Sequence, residues 1–540
     1  MIHLIVNRQE LLYDLYALTQ AFYPGIELDT LVSDQKAEES WTDKETENGR
    51  LRDTIEVCLF DCGAGITVTA GEILKAGCRR EYTEEKLAEE AGVFLREGME
   101  SAAARKRAFK KLFYDTMAEY TGRSLPWGSL TGIRPTKLIR GLMENNERRI
   151  CGQRQTYKDK KDSKEDEIEK AAAEQTAAQL YEMHRLKGDK LLLGMEIAKL
   201  QEGILSKLHG QQGYSVYIGI PFCPSRCLYC SFTSNPVDQW KKRIPEYLGA
   251  LRKELEYVAN SPYFQQRTLD TVYIGGGTPT ALSAEELDLL LGDVAAYLPM
   301  ESVQEYTVEA GRADSITDEK LDVLQKYHVT RISINPQTMK EETLRLIGRR
   351  HTIEDVKQAY AMARKKGFDN INMDIILGLP GETREDVTYT VREIKKLAPD
   401  SLTVHSLAVK RAAGLKDWYK SEGDPRSGGA EEIQRMMEQS MRTAAEGAKE
   451  MGMEPYYLYR QKNMAGNLEN TGYAQPGKYG LYNILIMEEL QSIVALGAGS
   501  VSKRVDEDGL IERCDNVKDI AQYIERIEEM IERKRVLFCD

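Results

Sequence analysis

From Ser215 to Val409, short apolar runs alternate with longer segments in which apolar residues return every three or four positions. The runs SVYIGIPF (215–222), DTVYIGG (270–276), EYTVEAG (305–311), TRISINPQ (330–337), DNINMDIILGLP (369–380) and SLTVHSLAV (401–409) are rich in Val, Ile, Thr and Tyr. Most of them end at Gly or Pro, so they predict strands. Ile244, Tyr247, Leu248, Leu251, Leu255 and Val258 predict one amphipathic helix between them, and Val387, Val391, Ile394 and Leu397 another. Ser283 with Glu286 and Thr338 with Glu341 fit capping boxes, and Thr383 fits a cap with Asp386 in the first turn. Six successive βα units imply parallel strands joined by right-handed crossovers, either an open doubly wound sheet or most of a TIM-type barrel. Both put chemistry at the carboxyl ends of the strands.

The flanks have a different texture. Residues 1–205 open with MIHLIVNRQELLYDLYALTQAF, pass the polar stretch DQKAEESWTDKETENGR and the strand-like TIEVCLF, and include a run dense in both charge signs, RRICGQRQTYKDKKDSKEDEIEK (148–170). That run reads as a solvated linker. An α+β accessory domain is therefore expected over 1–205 and a barrel domain over 206–425. Residues 426–540, with EEIQRMMEQSMRTAAEGAKEMG and DIAQYIERIEEMIERKRVLF, predict a mainly helical third domain.

Composition narrows the class. At 540 residues, 41% hydrophobic and 30% charged, the chain has the length of a multidomain protein and the balance of a soluble one. No run approaches the roughly 20 apolar residues of a membrane span. MIHLIVNRQE lacks a basic leader and a cleavage site, so the cytoplasm is expected. The net charge of −12 weakens any nucleic-acid reading.

Three of the nine cysteines, Cys223, Cys227 and Cys230, follow the first core strand in the spacing C-x-x-x-C-x-x-C. Such a loop wraps one centre, and soft thiolates favour Zn, Cu(I) or an iron–sulfur cluster. A structural zinc site normally has a fourth Cys or His within similar range, yet the next histidine is His328. Three ligands on a four-iron cubane would leave one iron open to a bidentate small molecule. The other six cysteines, Cys58, Cys62, Cys78, Cys151, Cys514 and Cys539, read as ordinary free thiols.

This spacing resembles that of the radical S-adenosylmethionine (SAM) enzymes, which implies a [4Fe-4S] cluster held by Cys223, Cys227 and Cys230, with SAM on the open iron. The fold implied is a partial TIM-type (β/α)6 barrel. In that superfamily the reduced cluster splits SAM into methionine and a 5′-deoxyadenosyl radical. The resemblance makes Tyr229 and Phe232 cofactor contacts, Tyr229 beside the adenine, and likens GGGTPT, from Gly275, Gly276, Gly277 and Thr278 onward, to the glycine motif that receives the SAM amino group. Glu309, Gln337, Arg349 and Asp374 resemble, in order and spacing, the residues with which oxygen-independent coproporphyrinogen III oxidases hold SAM. Arg350, next in sequence, competes for the role of Arg349.

VYIGIPFCPSRCLYCSF is similar to the Tyr-x-His-x-Pro-Phe-Cys entry of those oxidases, with Gly219 in place of the histidine and Ser231 and Phe232 where a fourth cysteine stands. GSLTGIRPTKL (128–138), HSLAVKRAAG (405–414) and YYLYRQKNMAGNLENTGYA (456–474) resemble the HemZ-type coproporphyrinogen dehydrogenase branch. The implied reaction is oxidative decarboxylation of two propionates of coproporphyrinogen III, with Tyr217 as a substrate-side catalytic residue. A tetracarboxylate needs cations, and Arg312, Lys410, Arg411, Arg460 and Lys462 are candidates, whereas His351 and His405 read as structural. An electron donor such as flavodoxin or ferredoxin and a monomeric state are expected. A haem chaperone, a radical SAM enzyme acting on haem itself and a tRNA-modifying radical enzyme are the competing readings.

Overall fold

The computed structural model describes residues 1–33, 53–60, 63–74, 76–132, 134–153, 163–231, 235–409, 413–422, 429–461 and 464–540. Phe232, Lys410, Arg411 and Lys462 lie outside the described residues. The chain divides into two compact units, and the first comprises Met1–Met195, Gly423–Arg435 and Arg460–Leu468.

The sheet of this first unit has the order Leu28–Val32, Ile2–Val6, Thr54–Phe60, Gly63–Thr69, Cys78–Thr83. Ile2–Val6 is parallel to both of its neighbours, and the last three strands form an antiparallel meander. Ile2, Leu4 and Val6 pack with Leu11, Leu15 and Leu18 of the helix Gln9–Phe22 in one buried cluster. The buried Asp53 carboxylate accepts from the backbone N–H groups of Glu72 (3.1 Å), Ile73 (3.0 Å) and Leu74 (2.6 Å), closing the loop after the third strand pair. Asp53→Ala strands these donors and is expected to cost about 1–3 kcal/mol, read as a lower urea midpoint.

The second unit comprises Glu196–Glu422, Met436–Tyr459 and Glu469–Asp540. All six expected core strands form: β1 (Gly213–Ile220), β2 (Thr268–Gly276), β3 (Glu305–Glu309), β4 (Arg331–Ser333), β5 (Ile371–Leu377) and β6 (Ser401–Ser406). Each is parallel to the next, and they build the partial (β/α)6 barrel. The helices between them include α1 (Ile244–Asn260), α2 (Ala284–Tyr297), α3 (Asp318–Lys326), α4 (Ile353–Lys365) and α5 (Arg384–Leu397). The predicted stripe of α1 is buried from Ile244 to Val258. Ser283–Glu286 and Thr383–Asp386 form capping boxes as read, and Thr352–Asp355 forms one that the reading missed.

The box expected at Thr338–Glu341 does not form. Thr338 Oγ1 donates instead to Glu382 (2.5 Å), and the Glu341 carboxylate accepts from Ile353 N (2.8 Å), tying the short helix Glu341–Leu346 to the start of α4.

Residues beyond 426 differ from the mainly helical third domain expected of them. The helices at 430–450 and 520–538 are present, but the segment also gives β7 (Glu454–Tyr459), β8 (Asn470–Ala474), β9 (Ser492–Leu496), β10 (Val501–Val505) and β11 (Ile511–Asp515). These extend the barrel sheet at both flanks, in the order β7-β8-β6-β5-β4-β3-β2-β1-β9-β10-β11. A run such as SIVAL, buried at every position, lacks the alternation that marks a half-exposed strand. Among the described residues no helix is long and apolar enough to cross a membrane.

Candidate functional site

The site is built where β1 and β2 run out side by side, with Gly219 opposite Gly275 and Ile220 opposite Gly276. Gly277 N donates to Ile220 O (2.7 Å) and Thr278 N to Phe222 O (2.8 Å), so the glycine turn lies against the first residues of the cysteine loop. A Cβ on Gly277 would stand 2.4 Å from Phe222 O and 3.0 Å from Cys223 Sγ, and Gly276 has φ +110°. Only glycine fits both requirements. Thr278 Oγ1 lies 3.7 Å from Cys223 Sγ.

The loop's other thiols are held by the segments that follow β3 and β4. Cys230 N donates to Cys227 O (3.1 Å), Leu228 N to Ile347 O (2.9 Å) and Ser225 Oγ to Gly348 O (3.0 Å). Arg312, just beyond β3, donates to Ser225 Oγ (3.1 Å) and approaches Cys227 Sγ (3.5 Å), while Asp314 grips its guanidinium at 2.9 and 2.7 Å. Arg312 thus serves the cysteine loop, and the substrate contact expected of it is replaced by this role. Arg460 belongs to the first unit, where it donates to Leu130 O and to Asn467 O at 3.2 Å.

Arg349 is buried and Arg350 exposed, which separates the two. Arg349 donates to Gly311 O (3.1 Å), Asn335 O (2.6 Å) and Tyr229 OH (3.1 Å), while its Nε lacks a hydrogen-bond partner. Gln337 is buried with φ +65°, a conformation costly for a residue with a Cβ. Its backbone is fixed by Asp374 O and Ile376 N, both at 2.9 Å, and its Oε1 lacks a hydrogen-bond partner. Asn335 Oδ1 and Ser333 Oγ lack one too.

Glu309 ends β3 and accepts from Tyr273 OH. Burial pushes its carboxyl up to about 7, opposed by that hydrogen bond and assisted by the charge of Asp374. Asp374 goes the other way: burial works to raise it, but His405, with Nε2 3.6 Å away, holds the carboxyl below its usual range. Two carboxylates in one chamber are thereby split into a proton holder and a standing anion. Between the ordinary carboxylate value and about 7 the unfolded chain ionises at Glu309 while the folded chain keeps the proton, so Glu309 lowers stability as pH rises through that window. Glu309→Gln is expected to shrink the fall in melting temperature between pH 5 and pH 8.

Tyr217 stacks with Tyr273 (6.1 Å between ring centroids) and Tyr482 (6.2 Å), and those two stack at 4.5 Å. Tyr482 comes from the helix Leu481–Glu488, whose first two N–H groups are held by the buried Glu305 carboxylate at 2.6 and 3.2 Å. The sequence reading missed Tyr482, and no local signal distinguishes it from any other tyrosine of an amphipathic segment. His351 is buried, its Nδ1 3.8 Å from Asp314, behind the Arg312 pair.

These residues suit an iron–sulfur cluster with SAM beside it. The donors are three thiols, a cradle at Gly277 admits no side chain, and orphaned buried atoms of Gln337, Asn335 and Arg349 await polar partners. Among the described residues no group of three His, Cys, Asp or Glu converges as the ligands of one metal ion would. Thiolates on three different irons of a cubane stand farther apart than that.

The sequence pattern of the Radical SAM superfamily matches residues 217–394, the stretch that holds the cysteine loop and the first five barrel strands from Tyr217 onward. The fold and site define a radical SAM protein, which uses a [4Fe-4S] cluster and SAM. Within that superfamily the chain belongs to the oxygen-independent coproporphyrinogen-III oxidase-like family of HemZ: it is 38% identical over 489 residues to the Bacillus subtilis (strain 168) protein of that name, covering 89% of each chain. It is also 38% identical to the heme chaperone HemW of Bacillus subtilis (strain 168), over 202 residues that cover 36% of this chain and 51% of that one. Among solved structures, coproporphyrinogen III oxidase (HemN) from Escherichia coli aligns with a TM-score of 0.46 at 21% identity, over 62% of this chain and 73% of that one.

Proposed function

We propose that the chain catalyses the oxygen-independent oxidative decarboxylation of coproporphyrinogen III to protoporphyrinogen IX, as a coproporphyrinogen dehydrogenase of haem biosynthesis acting in the cytoplasm. In this reading Cys223, Cys227 and Cys230 hold the cluster. Gly275 to Thr278, Tyr229, Glu309, Gln337, Arg349 and Asp374 hold SAM, as does Phe232 from outside the described residues. When bound, cluster and SAM together supply an electron and a 5′-deoxyadenosyl radical able to take a hydrogen atom from a propionate β-carbon. Each propionate then loses CO₂, and one electron passes to an acceptor as the vinyl group forms.

The chain's own residues prepare this. Arg349, fixed by two backbone carbonyls and the Tyr229 hydroxyl, presents a rigid guanidinium to the SAM carboxylate. Asp374, kept anionic by His405, and Glu309, held by Tyr273, offer acceptors to hydroxyl and amino groups. Tyr217, backed by Tyr273 and Tyr482, offers the substrate side a flat aromatic face beside the glycine turn, with its hydroxyl 3.4 Å from where a Cβ of Gly276 would stand.

The observation that carries this reading is the similarity to HemZ over 89% of both chains, which takes in the first unit as well as the barrel. The likeness to HemW covers 36% of this chain and gives the haem-chaperone reading its support. One anaerobic assay separates them, using the reconstituted protein with SAM, reductant and coproporphyrinogen III. Loss of two CO₂ with formation of 5′-deoxyadenosine is the expected result. Stoichiometric haem binding without decarboxylation would overturn it, and a methylated or linearised tetrapyrrole would point to chemistry on haem.

A further inference from the structure

The outer side of the cysteine loop is bonded to the segment 345–350. Leu228 N donates to Ile347 O (2.9 Å) and Ser225 Oγ to Gly348 O (3.0 Å). A Cβ on Gly348 would stand 3.3 Å from Arg226 O and 3.9 Å from Cys227 Cα. Beside this seam opens a cavity of about 720 Å³ whose lining includes Arg226, Arg345, Arg349, Arg350, His351 and a single carboxylate, Glu341. Arg226, Arg345 and Arg350 are exposed, and the apolar Leu346 between them is 39% exposed.

Two nearby acids, Glu341 and Asp238, are already engaged elsewhere. Glu341 accepts from Ile353 N, and Asp238, the carboxylate that feels Arg350, is paired with Lys241 at 2.7 Å. His351 lines the cavity with neither ring nitrogen hydrogen-bonded, and behind it Asp314 and Arg312 lead to Cys227 Sγ. A cationic patch with an apolar centre therefore lies one peptide layer from Cys227, on a chain whose net charge is −12.

We infer that this patch docks a small acidic electron-carrier protein that reduces the cluster. An acidic partner is repelled by much of such a chain and steered to a local cationic face such as this one. A carrier seated there meets a short bonded route to Cys227 through Leu228 N and Ile347 O, and tunnelling rates fall steeply with distance. The exposed Leu346 supplies the apolar contact that a transient electron-transfer interface needs at its centre. The inference rests on the cluster and is independent of which substrate the radical attacks.

The test follows cluster bleaching in stopped flow, without substrate, with photoreduced flavodoxin or with dithionite as reductant. The variant Arg345→Glu with Arg350→Glu is expected to slow flavodoxin-driven reduction by about tenfold or more at low salt while changing the dithionite rate by no more than about twofold. Flavodoxin-driven reduction of the unaltered chain is expected to slow steeply as salt is raised. An undiminished flavodoxin rate in the variant overturns the inference. Should the variant fail to hold its cluster, a salt-independent flavodoxin rate in the unaltered chain overturns it equally. Because the readout is cluster colour, failure here is distinguishable from failure of the decarboxylase reading, which is read in product masses.

Discussion

Serine in place of Cys223, Cys227 or Cys230 is expected to leave a folded chain that neither keeps the iron–sulfur chromophore nor cleaves SAM. A hydroxyl replaces each thiol at nearly the same volume. With Cys223 at 8% and Cys227 at 9% exposure, the exchange amounts to burying one small polar group, a cost of about 1–3 kcal/mol. The loop's shape rests on other contacts: the Gly277 and Thr278 N–H groups, the Ser225 and Leu228 bonds, and Arg312 with Asp314. Metal binding is a different matter, since serine is a hard, weakly acidic donor where iron–sulfur clusters take thiolate. Iron content and visible absorbance after anaerobic reconstitution, set beside circular dichroism, separate the two effects. Retained iron with retained 5′-deoxyadenosine formation would refute the assignment of all three residues.

The second large effect lies far from the thiols in sequence. Lys534 Nζ donates to Glu254 Oε1 (2.6 Å) and Asn516 Oδ1 (2.6 Å), and both Lys534 and Glu254 are almost wholly buried. Glu254 on α1 also accepts from Asn516 Nδ2 (2.9 Å), Gly497 N (2.7 Å) and Tyr523 OH (2.5 Å). Lys534→Met fills much of the same space but leaves a carboxylate buried without its counter-ion. The expected cost is about 3–5 kcal/mol, read as a drop in urea midpoint. Adding Glu254→Gln should recover a good part of it, because the uncompensated charge is then gone. A single variant as stable as the parent would show that water or another cation reaches Glu254.

The six barrel strands were legible because each is a short run rich in Val, Ile, Thr or Tyr and most close at Gly or Pro, and the thiol loop because its ligands are close in sequence. What stayed hidden is what depends on distant partners. Lys534 and Glu254 look like surface residues until the fold brings them together. Arg312 follows Gly311 with nothing to mark it as a thiol's neighbour rather than a substrate's, and Tyr482 reaches the barrel only because Glu305 anchors its helix. The choice between Arg349 and Arg350 also needed the structure, since adjacent residues on an irregular segment carry no periodicity. Gln337 was singled out by its resemblance to a SAM-holding glutamine, but its positive φ is a property of the backbone that the sequence did not announce.

The pairing of β1 with β9 bears on how the protein is made. Tyr214 to Ile218 bond to Ser492 to Leu496, and Tyr247 OH bridges Gly219 O and Ala498 N at 2.6 and 3.0 Å. The strand that launches the cysteine loop therefore has one bare flank until Ser492–Leu496 has left the ribosome. At about 5–20 residues per second that interval is on the order of tens of seconds, during which β1 lacks its second partner. A cluster site that needs both flanks of β1 is expected to take up radioactive iron only after Ser492–Leu496 has been made, a timing that labelling of nascent chains checks.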